Sequence, residues 1–209
     1  ATPAAGKTTF GLKVAHQMLS SGQVSRVVVI GPTTHICRQW AAAAAPYGIE
    51  LEPNRPNSDG PEPSDMHGVA VTYQTIAAGP GGHAGSARKP TLVIADEPHH
   101  MGDQAAWGTR AQKAFGHATF RLLLSGTPFR SDNSAIPWVA YDDDGVSRAD
   151  YVYGYAEALV DRVCRPITFQ HSDGELEWES ERQRRNAGFD VVLPQAETAR
   201  RLRTALAAD

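Results

Sequence analysis

The residues near the start of the chain have the types and the spacing of a phosphate-binding loop. Gly6, Lys7 and Thr8 follow Ala1 in the order Ala-x4-Gly-Lys-Thr, which departs from the general pattern Gly-x4-Gly-Lys-Ser/Thr only at its first position. Glycine lets main-chain amides approach phosphate oxygens, lysine can reach the outer phosphates, and the threonine hydroxyl can ligate Mg²⁺. The residues predicted to bind the phosphates of a nucleotide are Ala4, Ala5, Gly6, Lys7, Thr8 and Thr9.

Two adjacent carboxylates, Asp96 and Glu97, follow the apolar run 92–95. An adjacent Asp-Glu pair is usually a solvated turn, but the apolar strand before it and the phosphate-binding loop upstream favour a catalytic pair. This interpretation places Asp96 and Thr8 on a Mg²⁺ ion and gives Glu97 the role of orienting and deprotonating a water molecule. His99 is the candidate for a polar relay at the same site. A zinc site is disfavoured, because the neighbouring histidine would point elsewhere and no cysteine has a suitable spacing.

Short apolar runs alternate with helical periodicity along the first 130 residues. Strands are predicted over 26–30, 68–72, 91–95 and 119–124, and helices over 8–20, 35–45, from 73 onward and over 104–115. Residues 52–67 are rich in Pro, Asn, Asp and Ser and predict a surface loop. The alternation predicts an α/β domain with a mainly parallel sheet and helices on both faces. The candidate residues fall at the carboxyl edge of that sheet, where such sheets bind ligands.

The composition excludes several classes of protein. The chain has 209 residues, a net charge of -3 and 41% hydrophobic residues, which give no overall basic field for nucleic acid. No apolar run approaches the length of a membrane span, so no membrane partner is expected. Cys37 and Cys164 are widely separated, which predicts free thiols and a cytoplasmic location. Because a phosphate-binding loop normally follows a buried strand, a loop that starts at residue 1 predicts that the chain is part of a longer protein.

The order of these segments resembles that of superfamily 2 helicases and translocases of the DEAD/DEAH type, especially the group related to the motor subunits of type III restriction enzymes. Residues 96–99, Asp-Glu-Pro-His, are similar to a DExH form of helicase motif II. Residues 125–128, Ser-Gly-Thr-Pro, are similar to motif III. Motifs I, Ia and Ib are resembled by residues 1–8, 31–40 and 71–74.

The resemblance implies a RecA-like P-loop NTPase fold, with ATP and Mg²⁺ as cofactors. It implies that ATP hydrolysis is coupled to strand separation or to movement along nucleic acid, and it favours DNA over RNA as the partner. The implied catalytic residues are Lys7, Asp96, Glu97 and His99, and the implied coupling residues are Ser125, Gly126 and Thr127. The candidates for contacts with the nucleic-acid backbone are Pro32, Thr33, Arg38, Thr72 and Gln74. Trp40 is predicted to pack its helix rather than to stack on a base.

The resemblance also implies a division of the chain. Residues 1–165 correspond to the first ATPase domain, truncated at its N-terminus, and residues 166–209 to a linker toward a second RecA-like domain outside the chain. The patterns in this half predict a helix over 150–163, a strand over 164–170, a polar stretch over 171–190 and an amphipathic helix over 194–209. Helicase motifs IV to VI, with the arginine fingers of the second domain, have no counterpart after Pro128. The isolated chain is therefore expected to bind ATP weakly and to hydrolyse it poorly.

Two other functions fit parts of the pattern. A nucleotide-binding interaction module without turnover would keep the phosphate-binding loop, although the intact Lys7, Asp96 and Glu97 argue against a decayed site. A small-molecule P-loop kinase would also keep the loop, but it has no need of the segments 96–99 and 125–128. ATP hydrolysis stimulated by nucleic acid, ATP binding without turnover, and phosphate transfer to a small acceptor would distinguish the three.

Overall fold

The computed structural model describes residues 1, 5–59, 63–79, 89–102, 105–129, 134–167, 175–180 and 183–206. The chain forms two compact units, Ala1–Arg165 and Pro166–Asp209. All candidate site residues belong to the first unit. No helix in the described ranges is long and apolar enough to cross a bilayer.

Helices and strands alternate along the first unit. Its helices are α1 (Lys7–Ser20), α2 (Thr34–Ala44), α3 (Tyr73–Ala78), α4 (Ala105–Phe115) and α5 (Tyr155–Val160). Its strands are β1 (Arg26–Gly31), β2 (Leu51–Pro53), β3 (Gly68–Thr72), β4 (Thr91–Asp96), β5 (Phe120–Leu124), β6 (Ala140–Tyr141) and β7 (Ser147–Arg148). Short 3₁₀ helices span Ala45–Tyr47, Asn57–Asp59 and Pro98–Gly102.

Strand β1 lies at the centre of a five-stranded parallel sheet with the order β2-β3-β1-β4-β5. In its register, Val28 of β1 pairs with Val69 of β3 and with Val93 of β4. Every residue of β1 and β3 is buried, and in β4 only Asp96 is less than fully buried. The continuous apolar runs thus form the interior of a sheet covered on both faces, and the predicted α/β class is confirmed.

Alternate residues of β1 enter two apolar cores on opposite faces of the sheet. Val27 and Val29 pack with α1 and α2, whereas Val28 and Ile30 pack with α3 and α4. The buried helical side chains of the first core are Leu12, Ala15, Cys37, Trp40 and Ala44. Those of the second core are Tyr73, Ile76, Ala111, Ala114 and Phe115. Helices therefore cover both faces, as the alternation predicts.

Strand β2 was not predicted, since it lies mostly in the stretch 52–67 that the composition assigns to a surface loop. It pairs with the end of β3 over only three residues. Pro53 is compatible with this position, because an edge strand leaves one side of its main chain without a partner strand. Three residues with a terminal proline are too short to show a strand period in the sequence.

The C-terminal part of the first unit departs further from the predictions. The helix predicted over 150–163 is too long, because α5 covers only Tyr155–Val160 and begins after Gly154, whose N–H donates to Glu157 Oε2 at 2.8 Å. The strand predicted over 164–170 is not formed at 164–167, and 168–170 lie outside the described residues. Pro166 lacks the N–H that a central strand position requires.

The second unit contains an antiparallel hairpin and a helix: β8 (Glu175–Ser180), β9 (Gln183–Gly188) and α6 (Gln195–Leu206). Trp178 of β8 is buried, and its Nε1 donates to Glu197 Oε2 of α6 at 2.8 Å. The helix confirms the prediction over 195–206, and 207–209 lie outside the described residues. The hairpin was missed in a stretch interpreted only as polar, although alternation of glutamates with Leu176 and Trp178 is typical of a half-buried strand.

Gly68 opens β3 at a point that has no room for a side chain. Its φ is 159°, and an added Cβ would lie 1.7 Å from the main-chain oxygen of Val27. We expect Gly68→Ala to lower the free energy of unfolding by about 3 kcal/mol or more, because β1 and β3 would have to separate. Chemical denaturation followed by circular dichroism measures this loss.

The control for this substitution is Gly154→Ala. Gly154 has a φ of -80°, and an added Cβ there would have its nearest contact 3.8 Å away. Because Gly154 is the N-cap of α5 and alanine is a poorer N-cap, we expect this variant to lose no more than about 1 kcal/mol. Equal stability of the Gly68 and Gly154 variants would show that β1 and β3 accommodate the added methyl group.

Candidate functional site

The phosphate-binding loop meets α1 at Gly6. This residue has φ 78° and ψ 25°, in the left-handed region that favours glycine, and an added Cβ would meet no atom of the described residues within 4 Å. Backbone conformation, rather than lack of space, therefore requires glycine. No side chain of the described residues caps this end of α1, so the amides of its first turn stay available to an anion. Ala5 and Thr8 are half-buried, Thr9 is exposed, and Ala4 lies outside the described residues.

Lys7 forms an ion pair with Glu97: its Nζ donates to Oε1 of the carboxylate. Glu97 directly follows β4, and its main-chain N–H donates to the carbonyl oxygen of Leu124 at 2.8 Å, which ties the end of β4 to the end of β5. The φ of Glu97 is 52°, a left-handed conformation that costs energy in a residue with a Cβ. The structure thus brings Lys7, which is predicted to bind phosphate, into contact with Glu97, which is predicted to activate water.

The other carboxylate oxygen of Glu97 faces the segment 125–128. Oε2 accepts a hydrogen bond from Ser125 Oγ at 3.0 Å and one from the Gly126 N–H at 3.4 Å. Burial alone would raise the pKa of Glu97, but the hydrogen bond and charge of Lys7, with the bonds from Ser125 and Gly126, lower that pKa below its ordinary value. Glu97 is therefore ionised at neutral pH, which is the state that a general base needs.

His99, at the end of the segment 96–99, faces the segment 125–128. Its Nδ1 is 3.4 Å from Ser125 Oγ, 3.5 Å from Thr127 Oγ1 and 3.5 Å from Glu97 Oε2. The Thr127 N–H donates to Ser125 Oγ at 3.1 Å. A polar cluster of Glu97, His99, Ser125 and Thr127 therefore joins the ends of β4 and β5. His100 is exposed; its ring centroid is 4.3 Å from that of His99, and its main-chain N–H donates to the Glu97 carbonyl oxygen at 3.1 Å.

Two aromatic side chains hold Asp96, the last residue of β4. Trp40 Nε1 donates to Asp96 Oδ2 at 2.8 Å, and the Tyr73 hydroxyl donates to the Asp96 carbonyl oxygen at 2.8 Å. Burial raises the pKa of Asp96, and the charge of Glu97 adds to that rise, whereas the Trp40 hydrogen bond and the charge of Lys7 oppose it. The site thus depresses the pKa of one carboxyl and raises that of its neighbour.

Sequence reasoning assigned Trp40 to packing and did not single out Tyr73. Both side chains are buried, as packing requires. One general rule could have drawn attention to their polar atoms: a buried indole N–H or phenol O–H needs a hydrogen-bond acceptor. The acceptor itself could not be identified in advance, because Trp40 and Asp96 are 56 residues apart in the chain.

The described residues offer oxygens for a magnesium ion that would take its remaining ligands from a nucleotide and water. No cluster of three or more His, Cys, Asp or Glu side chains that could hold a metal occurs within the described ranges. Mg²⁺ is usually held by one or two protein oxygens together with phosphates and waters. The Asp96 carboxylate and the Thr8 hydroxyl supply oxygens of that kind. Asp96 and Thr8 are the residues that would hold the ion, and this assignment stays a prediction.

The residues predicted to contact nucleic acid lie after β1 or at and after the end of β3, and these two strands are neighbours in the sheet. Thr33 Oγ1 accepts from the Ile36 N–H at 3.2 Å and caps α2. Thr72 is buried, and its Oγ1 accepts from the Thr75 N–H at 3.1 Å, which caps α3. Both hydroxyls therefore already have a structural role.

The remaining candidates for nucleic-acid contacts differ in their exposure. Arg38 and Gln74 are exposed, and Pro32 is half-buried. Because their side chains reach solvent, Arg38 and Gln74 are the candidates best placed to bind a partner. The contacts of all five residues with nucleic acid stay predictions.

Comparison with known proteins places the site in a family context. The family model described as the res subunit of type III restriction enzymes matches residues 2–130. Two proteins of Mycobacterium tuberculosis, from strains CDC 1551 and H37Rv, are each 47% identical over 213 residues and match 99% of the chain. A protein of Mycobacterium leprae is 44% identical over 212 residues, again over 99% of the chain. All three are named only as uncharacterized proteins. The chain spans 35% to 36% of their length, about a third.

Proposed function

The chain belongs to the family of type III restriction enzyme res subunits and has the RecA-like P-loop fold of that helicase-like, ATP-binding family; from this premise we propose that it is the first motor domain of an ATP-dependent DNA helicase or translocase. The observation that carries the proposal is the convergence of three segments on one carboxylate. Lys7 from the phosphate-binding loop, Ser125 and Gly126 from the end of β5, and Glu97 at the end of β4 form a single hydrogen-bonded group.

The contacts of Glu97 suggest how the group would act. A nucleotide phosphate offers Lys7 a partner of greater negative charge, so nucleotide binding would draw Nζ away from Glu97 and free Oε1. Ser125 and Gly126 would still hold Oε2, so the carboxylate keeps its orientation while Oε1 accepts a proton from a water molecule. His99, beside Ser125 and Thr127, would relay the change to the end of β5. A bound Mg²⁺ would neutralise the charge of the phosphates during transfer.

We extend the proposal to the organisation of the whole protein. Residues 1–165 would be the motor domain and residues 166–209 the connection to a second RecA-like domain. The division of the chain after Arg165 and the greater length of the mycobacterial relatives support it. ATP hydrolysis would be coupled to strand separation or to movement along the nucleic acid.

The test is an ATPase assay on the full-length protein with and without nucleic acid. We expect hydrolysis that is stimulated by DNA more than by RNA of the same sequence. Stronger stimulation by RNA would overturn the choice of DNA. ATP binding without turnover would instead support an interaction module, and transfer of phosphate to a small acceptor would support a kinase.

Arg38 offers a test of the nucleic-acid contact. It is exposed on α2, close to the end of β1. We expect Arg38→Ala to weaken DNA binding uniformly across sequences and to make the slope of log affinity against log salt shallower by about one, because one phosphate contact would be lost. Fluorescence anisotropy over a series of salt concentrations measures both effects.

The control is Lys113→Ala. Lys113 is also exposed and carries the same charge, but it lies in the last turn of α4, which leads to the amino end of β5, at the opposite edge of the parallel sheet from the nucleic-acid candidates. We expect this variant to keep the wild-type affinity and salt slope. An equal loss in both variants would indicate a general effect of net charge instead of a contact at Arg38.

A further inference from the structure

We propose that Trp40 is a positioning residue for the metal-binding carboxylate of Asp96 and that it couples this carboxylate to α2, the helix predicted to contact nucleic acid. The inference rests on the proposed function, because it assigns a metal to Asp96 and nucleic acid to α2.

The indole of Trp40 lies where four elements meet. It is 1% exposed and extends from α2 to Asp96 at the end of β4. An added Cβ on Gly11 of α1 would lie 2.9 Å from Trp40 Cη2 and 3.2 Å from Leu124 Cδ1 at the end of β5. The helix that follows the phosphate-binding loop is therefore packed directly against the same ring. Displacement of α2 would change the position of the indole relative to α1, β4 and β5 together.

The indole N–H group determines which oxygen of Asp96 takes part in this contact. The Nε1–H group is a donor only, so it engages Oδ2 of Asp96, and no hydrogen bond from the described residues occupies Oδ1. A buried donor on one oxygen restricts rotation of the carboxylate and so favours one orientation of its other oxygen. Groups that orient a metal ligand in this way typically change metal affinity by about 10-fold to 100-fold when removed.

A second aromatic residue provides a matched comparison. The Tyr73 hydroxyl, from α3, donates to the main-chain oxygen of the same Asp96. Trp40 and Tyr73 are both buried, and each makes one hydrogen bond to Asp96. Only the Trp40 bond reaches the carboxylate. A role in orienting the carboxylate therefore predicts different effects from the two positions, whereas a purely structural role predicts similar effects.

The experiment compares three forms of the full-length protein with the wild type. In the first, benzothienylalanine replaces Trp40, which keeps the bicyclic shape and substitutes sulfur for the N–H group. The second is Trp40→Phe, and the third is Tyr73→Phe. Binding of Mn²⁺ in the presence of ADP is measured by electron paramagnetic resonance, and ATPase activity is measured against Mg²⁺ concentration with and without DNA.

We expect both Trp40 forms to bind Mn²⁺ about 10-fold more weakly than the wild type and to need correspondingly more Mg²⁺ for half-maximal ATPase activity. Their stimulation by DNA is expected to fall even at saturating Mg²⁺. Tyr73→Phe is expected to keep the wild-type Mn²⁺ affinity. The benzothienylalanine form retains the ring, so it keeps the test decisive if Trp40→Phe does not fold.

Wild-type Mn²⁺ affinity in the benzothienylalanine form would overturn the inference. So would an equal loss of affinity in Tyr73→Phe, since the effect would then come from the general packing of Asp96. These outcomes are separate from failure of the proposed function, which would show as wild-type protein without nucleic-acid-stimulated hydrolysis. The Mn²⁺ measurement needs no turnover and reports on Trp40 in either case.

Discussion

Lys7→Ala is expected to lower the rate of nucleic-acid-stimulated ATP hydrolysis by about 100-fold or more, the size of effect seen when one stabilising donor is removed from an enzyme. Two losses combine in this variant. The phosphates lose the cation placed at the start of α1. Glu97 loses the hydrogen bond and the charge that are the main causes lowering its pKa. Steady-state kinetics on the full-length protein gives the rate, and nucleotide titration gives the change in affinity.

Lys13→Ala is the control for this prediction. Lys13 is exposed on the same helix, and its removal changes the net charge by the same amount. We expect Lys13→Ala to hydrolyse ATP at the wild-type rate. Retention of most of the activity in Lys7→Ala, with Lys13→Ala unchanged, would contradict the assignment of the phosphate-binding loop.

Glu97→Gln is expected to lower the hydrolysis rate by between about 10²-fold and 10⁴-fold while ATP binding is retained. Glutamine has nearly the same shape and can still accept the hydrogen bonds from Ser125 and Gly126. It cannot take a proton from water. Single-turnover kinetics separates the two steps, because a lost general base slows hydrolysis in the bound complex without weakening the complex. Weak nucleotide binding at an unchanged hydrolysis rate would point to a purely structural role for Glu97.

The same variant should change how stability depends on pH in the nucleotide-free protein. The folded pKa of Glu97 lies below its ordinary value of 4.5. Its contribution to stability is therefore complete above that ordinary value and is lost as the pH falls through the lower folded pKa. Glu97→Gln should remove this part of the acid destabilisation. Thermal unfolding between neutral and acidic pH, without Mg²⁺ or nucleotide, measures the difference.

Asp96 contributes with the opposite sign. Its pKa is raised in the folded protein, chiefly by burial, so its favourable contribution is lost as the pH rises through the folded pKa. Asp96→Asn is therefore the informative companion variant in the same melting experiment. A similar pH profile for the Glu97 and Asp96 variants would show that the two carboxyls do not have the opposed environments described above.

The central sheet could be predicted because its determinants are local. Strands β1 and β4 are continuous apolar runs. Such runs are typical of strands in a parallel sheet, because these strands are buried on both faces. The left-handed Gly6 is also a local matter, since only the backbone requires glycine there. The phosphate-binding loop and the carboxylate pair can therefore be recognised from the local sequence alone.

The contacts that organise the site could not be predicted in the same way, because they depend on tertiary structure. Trp40 has the sequence environment of any buried helical residue, and its acceptor is supplied by a strand 56 residues away. The resemblance to motif Ib implies a nucleic-acid contact for Thr72, yet local capping of α3 already uses its hydroxyl. The first strand of the hairpin in the second unit alternates charged and apolar residues over a short stretch. The many charged residues around it make this strand difficult to recognise in the sequence.

Strand β5 is the outermost strand on its side of the described sheet, and its burial is uneven. Phe120 is 41% exposed, whereas Leu124 at the other end is 8% exposed. No strand of the described residues pairs with the side of β5 that faces away from β4, so its main-chain groups and its apolar side chains offer a template for a second chain. A strand of a second chain can pair at such an edge, so we expect the 209-residue chain to self-associate as its concentration rises. Nucleotide and nucleic-acid affinities of the isolated chain should therefore be measured below the concentration at which it self-associates, so that they refer to a single species.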